Sequence, residues 1–294
     1  MIAIRRVETD ADLATWVDVR NTVVPNEPTT VEQTRRLEEP DRLLVLAELD
    51  GEIAGAGIAQ PSSFGGRAFM APRVLPAQRR RGVGRALVAA LADHARSCGM
   101  TGVNAFVYAD DAPSVAFARS YGLDEVDFQL EQVRRVGRDE PPPEAPDGVR
   151  VVALGDRRDE LLRAVWPVAA DGYADMPLPE PVHVSLEEWL RDEATVPEGS
   201  FAAFTGDEPL GYAGLLERPG GDVAEHGLTV VRRDRRRRGV AVALKGAQIR
   251  WASQNGVVEL VTWTQRGNEA MQALNRRLGY VDRERVLTFQ GPLP

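Results

Sequence analysis

Two arginine-glycine segments of the chain have the residue types of an anion-binding turn. Residues 79–84 read Arg-Arg-Arg-Gly-Val-Gly, residues 236–241 read Arg-Arg-Arg-Gly-Val-Ala, and a stretch with helical spacing of apolar residues follows each. A turn of this kind at the start of a helix exposes unpaired backbone N–H groups beside the positive end of the helix dipole, and its small residues allow close approach. We therefore expect both segments to cradle a pyrophosphate.

The two segments belong to an internal duplication. A constant offset of 157 residues places Leu87 on Leu244 and Gly99 on Gly256, and the match runs on without insertion to a second glycine, Gly122 or Gly279. A repeat of this length indicates two similar domains. The proline-rich stretch 139–148 has the composition of a stiff linker. The sequence thus predicts domains at 1–138 and 149–294.

Periodicity predicts the same order of elements in both domains, which is strands, a helix, a strand, a helix and closing strands. The helices after the two turns are expected at 83–97 and 240–255. In the second domain a further helix is expected at 158–169, and the first domain is expected to close with a pair of strands over 124–135.

Composition excludes several classes of protein. The 294 residues are 43% hydrophobic and 27% charged, without an apolar run long enough to cross a bilayer. The start of the chain is too polar for a signal peptide, and Cys98 is the single cysteine, so we expect a cytoplasmic protein without a disulfide. The arginine run 232–238 taken alone fits a nucleic-acid patch, but a net charge of −8 argues against that partner.

The segments 74–84 and 231–241 resemble the V-x-P-x-x-[QR]-x-x-G-x-[GA] motif of the GCN5-related N-acetyltransferase (GNAT) superfamily. The first copy matches every defined position, and the second has Arg233 where the family often has proline. Two copies resemble the tandem arrangement of mycothiol synthases. The resemblance implies an α/β (α+β) fold of two GNAT domains, each a mixed, mostly antiparallel sheet that is splayed between its fourth and fifth strands and flanked by helices.

The resemblance also implies acetyl-CoA as cosubstrate and no metal. Loop amides would hold the pyrophosphate, the fourth strand would bond the pantetheine arm, and an asparagine would contact CoA. The implied positions are Val74, Arg79, Arg80, Arg81, Gly82, Val83 and Gly84 in the first copy, and Val231, Arg236, Arg237, Arg238, Gly239, Val240, Ala241 and Asn268 in the second. Asp111 replaces the asparagine in the first copy, and a carboxylate is unfavourable near phosphate.

A proton acceptor is expected only in the second domain. Family members keep a glutamate eleven residues before the loop motif, which is Glu225 here, whereas the position at the same offset in the first domain is Ala68. His226 is the second choice, because side chains alternate on a strand and a bulge would be needed to bring it to the same face.

The proton donor is less well defined. Many family members place a tyrosine where this chain has Ala118 and Asn275. Asn275 could hydrogen-bond the sulfur or the CoA arm, while Tyr212 and Tyr280 are expected to pack in the core. Around the predicted acceptor side of the second domain lie four aromatic or basic residues, Trp166, Tyr173, His183 and Trp189, for which ordinary packing is an equal interpretation.

The resulting hypothesis is an acetyl-CoA-dependent N-acetyltransferase that acts on a small-molecule primary amine in its C-terminal domain. The N-terminal domain is expected to be degenerate but able to bind acetyl-CoA, and the other interpretation is a catalytic domain whose groups are not recognised. The alternative is a non-catalytic protein that senses acyl-CoA or binds a macromolecule. We expect no nucleic-acid or membrane partner, and a monomer or a homodimer.

Overall fold

The structure is a computed structural model that describes residues 1–36, 39–62, 65–141, 144–177, 184–218 and 220–294. The chain forms two compact units, the first made of Met1–Asp127 and Val286–Pro294 and the second of Phe128–Arg285. Each unit therefore takes its last strand segment from the other half of the sequence, so the units differ from the halves on either side of the linker at 139–148. No helix in the described ranges combines the length and apolar character needed to cross a bilayer.

The first unit contains six strands and four helices in its described residues. Its elements are β1 (Ile2–Arg6), α1 (Asp10–Val23), α2 (Val31–Arg36), β2 (Leu43–Leu49), β3 (Glu52–Pro61), β4 (Arg67–Val74), α3 (Val83–Ser97), β5 (Gly102–Tyr108), α4 (Ala112–Ser120) and the second half of β12 (Val281–Pro292). The strand order is β1-β2-β3-β4-β5-β12, and only β4 and β5 are parallel.

The second unit repeats this arrangement. Its elements are most of β6 (Asp124–Arg135), then β7 (Arg150–Ala153), α5 (Arg158–Ala174), α6 (Leu186–Asp192), β8 (Phe201–Thr205), β9 (Glu208–Glu217), β10 (Val223–Val231), α7 (Val240–Gln254), β11 (Glu259–Gln265) and α8 (Glu269–Arg277). The strand order is β7-β8-β9-β10-β11-β6, and among the strands that the structure describes in this unit only β10 and β11 are parallel. The predicted mixed, mostly antiparallel tandem architecture is confirmed.

Two predicted elements differ from the structure. The expected pair of strands over 124–135 is the single strand β6, and β12 is likewise unbroken. No glycine, proline or asparagine interrupts residues 124–135, so the sequence contains no turn signal there. Helix α5 runs to Ala174, five residues beyond its expected end at Ala169. Gly172 in its last turn packs so closely on Val230 that a side chain there would collide with it.

Both sheets open at the boundary between their two parallel strands. β4 and β5 are paired only from Arg67 to Phe69 on the β4 side, and β10 and β11 only from Val223 to Glu225 on the β10 side. Beyond these three pairs the strands of each unit diverge toward their C-terminal ends. Helices α3 and α7 begin at that end, because each follows its strand through the arginine-glycine turn. Each unit therefore presents a helix N-terminus at the mouth of a wedge.

Candidate active site

The two arginine-glycine turns have nearly identical backbones. Gly82 and Gly239 precede their helices with φ of 89° and 86°, and Arg80 and Arg237 have φ of 64° and 62°. Positive φ is strained for arginine and favourable for glycine, so the agreement reflects a shared loop conformation. Neither helix has a side-chain cap, which leaves the first N–H groups free to bind an anion. The geometry predicted for both cradles is therefore present.

A cleft of about 1,040 Å³ lies between β10 and β11 in the second unit. Its walls are the end of β10, the turn, the first residues of α7, the end of α5 and one side of α8. Of the residues expected to contact CoA, those that line it are Val231, Arg236, Arg237, Gly239, Val240, Ala241 and Asn268. Arg238 is not among the lining residues. The splay and the cradle thus form one continuous cleft.

Asp175 fixes the arginines at the edge of this cleft. It caps α5, accepts three hydrogen bonds from Arg233 at 2.7, 3.0 and 3.2 Å, and also pairs with Arg236. The hydrogen bond from Arg233, and then that from Arg236, lower the pKa of the Asp175 carboxyl to about 2. The charge of Arg236 is thereby held beside the cradle, where its Nε also donates to the carbonyl of Val231 at 2.9 Å.

Strand β10 carries a bulge that β4 lacks. The pairing of β10 with β9 shifts by one residue between His226 and Thr229, whereas β4, which is described throughout, pairs with β3 without a shift. The extra residue changes which positions correspond. Glu225 is equivalent to Phe69 and not, as a constant offset suggests, to Ala68. Phenylalanine cannot accept a proton either, so the asymmetry between the two units holds.

Glu225 lies on the face of β10 that points away from α7. Its neighbours Ala224 and His226 are buried, while the Glu225 side chain is 27% exposed and its Oε2 lies 3.3 Å from Nε of Arg218. It does not line the cleft, whose β10 wall begins at Leu228. The structure therefore places Glu225 beside the inner end of the cleft, within reach of solvent.

A second carboxyl on this face, that of Glu193, was missed by sequence reasoning. Glu193 follows α6, is 8% exposed, and accepts hydrogen bonds from the Tyr212 hydroxyl at 3.1 Å and the Leu228 N–H of the bulge at 3.3 Å. A side chain at Gly214 or Gly227 would collide with its carboxylate. Burial raises the pKa of Glu193 to about 7. The signal available in the sequence was this pair of glycines on adjacent strands, which leaves room for a side chain above the sheet.

The opposite face of the bulge rests on a buried polar network. His226 bonds Gln248 of α7 through Nδ1 at 2.9 Å and the Tyr280 hydroxyl through Nε2. Gln248 in turn donates to the carbonyl of Gly214 at 2.8 Å, opposite the bulge. Burial, and then the charge of Lys245, lower the pKa of His226 well below its usual range. His226 does not line the cleft; it is held neutral on the α7 face.

Lys245, the single lysine of the chain, completes this network. It is 1% exposed, with Nζ 5.4 Å from the centroid of the Tyr280 ring, and burial lowers its pKa to about 7. Within the described residues no carboxylate lies at ion-pair distance from it. Tyr212 and Tyr280 are both buried, as expected, and their hydroxyl groups bond Glu193 and His226.

Asn275 is fully buried on the inner side of α8. Its amide donates to Oε1 of Gln132 on β6 at 2.9 Å, while its own carbonyl oxygen has no partner among the described residues. The structure therefore does not bring Asn275 to the cleft.

The aromatic residues expected near the acceptor mostly pack together. Trp189 is buried between Trp166 and Tyr212, with ring centroids 5.3 Å away in both cases. Tyr173 is packed against the same cluster. His183 lies outside the described residues. Ordinary packing accounts for the three aromatic side chains that are described.

The cradle of the first unit has a different lining. The ring of Phe117 on α4 covers Gly84 so closely that a side chain at that glycine would lie 3.3 Å from it. Asp111 caps α4 and accepts hydrogen bonds from the N–H and hydroxyl of Ser114 at 3.1 and 2.7 Å. An aromatic ring and a fixed carboxylate thus stand where the second unit has Leu274 and Asn268.

Comparisons with known proteins agree with this geometry. Residues 11–123 and 160–280 match the model of the acetyltransferase (GNAT) family. A mycothiol acetyltransferase from Clavibacter michiganensis is 31% identical over 264 residues, which cover 85% of this chain and 81% of that protein. Another from Thermomonospora curvata is 34% identical over 168 residues, covering 55% of this chain and only 54% of that protein.

The fold is also found among solved structures. A tandem GNAT protein from the clavulanic acid biosynthesis pathway aligns over 100% of this chain and 98% of its own, with a TM-score of 0.77 and 22% identity. At this identity the likeness concerns the fold alone. It extends over both units.

Proposed function

Because the chain belongs to the GNAT acetyltransferase family and is an N-acetyltransferase, we propose that its second unit transfers the acetyl group of acetyl-CoA to a primary amine of a small molecule. The observation that carries this proposal is the bulge of β10 at the inner end of the cleft, which is absent from β4. A bulge releases backbone groups from the ladder and re-aims them, and bulges are frequent beside active sites. The name shared by the two relatives favours a small-molecule acceptor.

Acetyl-CoA would lie in the cleft of the second unit. The amides of the turn and of the first turn of α7 would bind its pyrophosphate at the helix N-terminus, and Asn268 would contact the CoA arm. The thioester would reach the bulge, where backbone N–H groups of β10 would stabilise the oxyanion. The proposal for the first unit is that it binds acetyl-CoA without turnover, because Phe69 stands at the position of Glu225.

In the transfer step the amine nitrogen attacks the thioester carbon, the C–N bond forms, and the C–S bond breaks to release the CoA thiolate. An alkylamine of pKa about 10.4 is almost fully protonated at pH 7, and exposing its lone pair costs about 4.6 kcal/mol. Glu225 would accept the amine proton through water. A thiol of pKa about 8.5 is a good leaving group, so a dedicated proton donor is not required.

The test is a pair of isosteric substitutions, Glu225→Gln and Glu193→Gln, assayed for acetyl transfer to a panel of small amines at pH 7 and pH 9. Glu225→Gln is expected to lower turnover by about a hundredfold at pH 7, which is the usual range for loss of a general base. The loss should be smaller at pH 9, because more of the amine is then neutral. The acetyl-CoA affinity from calorimetry should stay the same.

Glu193→Gln is the matched control, because it removes the other carboxylate from the same face of the sheet. It should retain most of the turnover at both pH values. Equal losses for Glu225→Gln at pH 7 and pH 9 would remove the base role, and a pH-dependent loss in Glu193→Gln alone would transfer it to Glu193. Binding of acetyl-CoA without transfer to any amine would favour the alternative of a non-catalytic acyl-CoA sensor.

A further inference from the structure

The open end of the splay in the first unit holds a guanidinium with one buried nitrogen that is unpaired among the described residues. Arg73 lies one residue before the end of β4, and its Nη1 atom is buried with no hydrogen-bond partner in the part of the chain that the structure describes. Its guanidinium carbon lies 5.4 Å from the centroid of the Trp16 ring on α1. Burial, and then the charge of Arg20, lower the pKa of Arg73 to about 9. A charge in this position is costly unless a group of opposite charge binds it.

The neighbouring side chains do not neutralise Arg73. Nη2 of Arg20 lies 4.0 Å from Oε2 of Glu27, and the Tyr108 hydroxyl donates to the other oxygen of Glu27 at 2.9 Å. The Glu27 carboxylate is thus already shared between Arg20 and Tyr108. Among the described residues no carboxylate lies at ion-pair distance from Arg73, so two guanidinium groups face one carboxylate.

The repeat places this cluster on the walls of the first unit's splay. Arg73 and Tyr108 correspond to Val230 and Gln265, which both line the cleft of the second unit. β4 and β5 are paired only as far as Phe69 on the β4 side, so both residues lie where the strands have diverged. A guanidinium therefore replaces an aliphatic side chain at a cleft-lining position.

We propose that the splay of the first unit binds the carboxylate of a small molecule through Arg73, with Arg20 beside it. The planar guanidinium binds a carboxylate with two parallel hydrogen bonds, and the indole of Trp16 would form the apolar wall below. The cradle amides at Gly82 provide a separate site for phosphate. The carboxylate belongs either to a free small acid or to the acyl group of a CoA thioester, and the two sources differ in whether they also use that cradle.

The experiment titrates the full chain by calorimetry with malonate, succinate, malonyl-CoA and succinyl-CoA. Acetyl-CoA and succinamide are the comparisons without a free carboxylate, and sodium sulfate at equal ionic strength is the comparison for any anion. We expect one of the carboxylate probes to bind, and Arg73→Met to weaken it by about ten- to a hundredfold, which corresponds to loss of a charge-assisted hydrogen-bond pair. The affinity for acetyl-CoA should be unchanged.

Arg96→Met is the matched control, because it removes the same charge from an exposed site on α3, where Arg96 pairs with Asp93 at 2.7 Å. It should leave carboxylate binding unchanged. Arg73→Met should fold with a thermal midpoint no lower than that of the parent, since it removes an unpaired buried charge. Arg20→Met provides a second variant, which should also weaken the carboxylate probe.

The outcomes distinguish the two sources of the carboxylate and test whether Arg73 binds it. Binding of malonate or succinate that Arg73→Met weakens identifies a free acid. If Arg73→Met weakens only the binding of their thioesters, and not that of acetyl-CoA, the carboxylate belongs to a charged acyl group. The proposal is overturned if none of the four probes binds, if sulfate competes as well as the carboxylate, or if Arg73→Met and Arg96→Met behave alike. Because the second unit keeps its own cradle and Glu225, failure here leaves the proposed acetyl transfer intact.

Discussion

The two units share a backbone plan but differ in the chemistry of the core beneath their fourth strands. In the first unit the positions below β4 are apolar and buried, namely Met70, Val88, Leu91 and Leu123. The same positions in the second unit are His226, Lys245, Gln248 and Tyr280, which are also buried. A well-packed apolar core is the less costly solution, because each buried polar group must find a partner. The second unit buries polar groups at four neighbouring positions in spite of this cost.

The bulge of β10 explains why the buried polar side chains lie at these positions. In the first unit β4 is regular, and Ile58 fills the space above the sheet. In the second unit the register shifts at the bulge. There the carbonyl of Gly214 accepts a hydrogen bond from Gln248, and the N–H of Leu228 donates one to Glu193. Polar side chains thus support the bulge from both faces. The comparison teaches that one copy has a regular fourth strand, while the other maintains a bulged strand at its cleft.

The largest expected effect tests which cradle serves turnover. Gly239→Val and Gly82→Val introduce a branched side chain at φ of 86° and 89°, so both distort the same loop conformation. Gly239→Val should lower kcat/KM by about a hundredfold to a thousandfold, because the amides that bind pyrophosphate move. Gly82→Val should retain turnover. Steady-state kinetics with acetyl-CoA check the pair.

The two glycine variants are matched in structural cost, and circular dichroism would show whether both fold. If Gly82→Val abolished turnover while Gly239→Val retained it, catalysis would belong to the first unit. Equal losses in both would show that the two cradles act together.

Sequence reasoning located the cradles because their signal is local. An arginine-glycine turn between a strand and a helix specifies its own backbone, and the repeat confirmed each copy by the other. Most element bounds followed from periodicity, and the splay followed from the resemblance to the GNAT superfamily. The exchange of the closing strand segments had no such signal, because β6 and β12 read as ordinary strands wherever they pair.

Two features of the candidate site could not be predicted from the sequence, namely the counterpart of Glu225 in the first unit and the burial of Glu193. One extra residue in β10 is invisible to a comparison at constant offset, which matched Glu225 with Ala68 instead of Phe69. Glu193 follows a short helix and resembles a surface residue in sequence. Its burial depends on Gly214 and Gly227, and the sequence contains both glycines without showing that they lie beside Glu193.

The next largest effect concerns the buried carboxyl group of Glu193 in the second unit. The pKa of Glu193 is raised from 4.5 to about 7, so the folded state binds more protons than the unfolded chain between these values. Stability from this group is therefore lost as pH rises from about 4.5 to about 7. Glu193→Gln keeps the acceptor oxygen without the charge. It should be more stable than the parent by at most about 3 kcal/mol at pH 8, and equal to it near pH 4.

Urea unfolding of Glu193→Gln at several pH values measures this difference, with Glu225→Gln as the partly exposed control. The control should show little pH-dependent gain. A gain for Glu193→Gln that is the same at pH 4 and pH 8 would mean that the buried carboxyl is not what makes the second unit sensitive to pH.

The smallest expected effect comes from replacing a buried polar residue of the second unit with its apolar counterpart from the first. Gln248→Leu copies Leu91 and leaves the carbonyl of Gly214 and Nδ1 of His226 without their partner, which should cost about 2 kcal/mol of stability. Because Gln248 does not line the cleft, the KM for acetyl-CoA should hold while kcat falls as the bulge loosens. Adding His226→Met should recover part of the stability because it removes the unpaired imidazole, although the Tyr280 hydroxyl then loses its own partner. It should not recover kcat. Recovery of kcat together with stability would show that the network serves packing alone, and that the bulge does not need it.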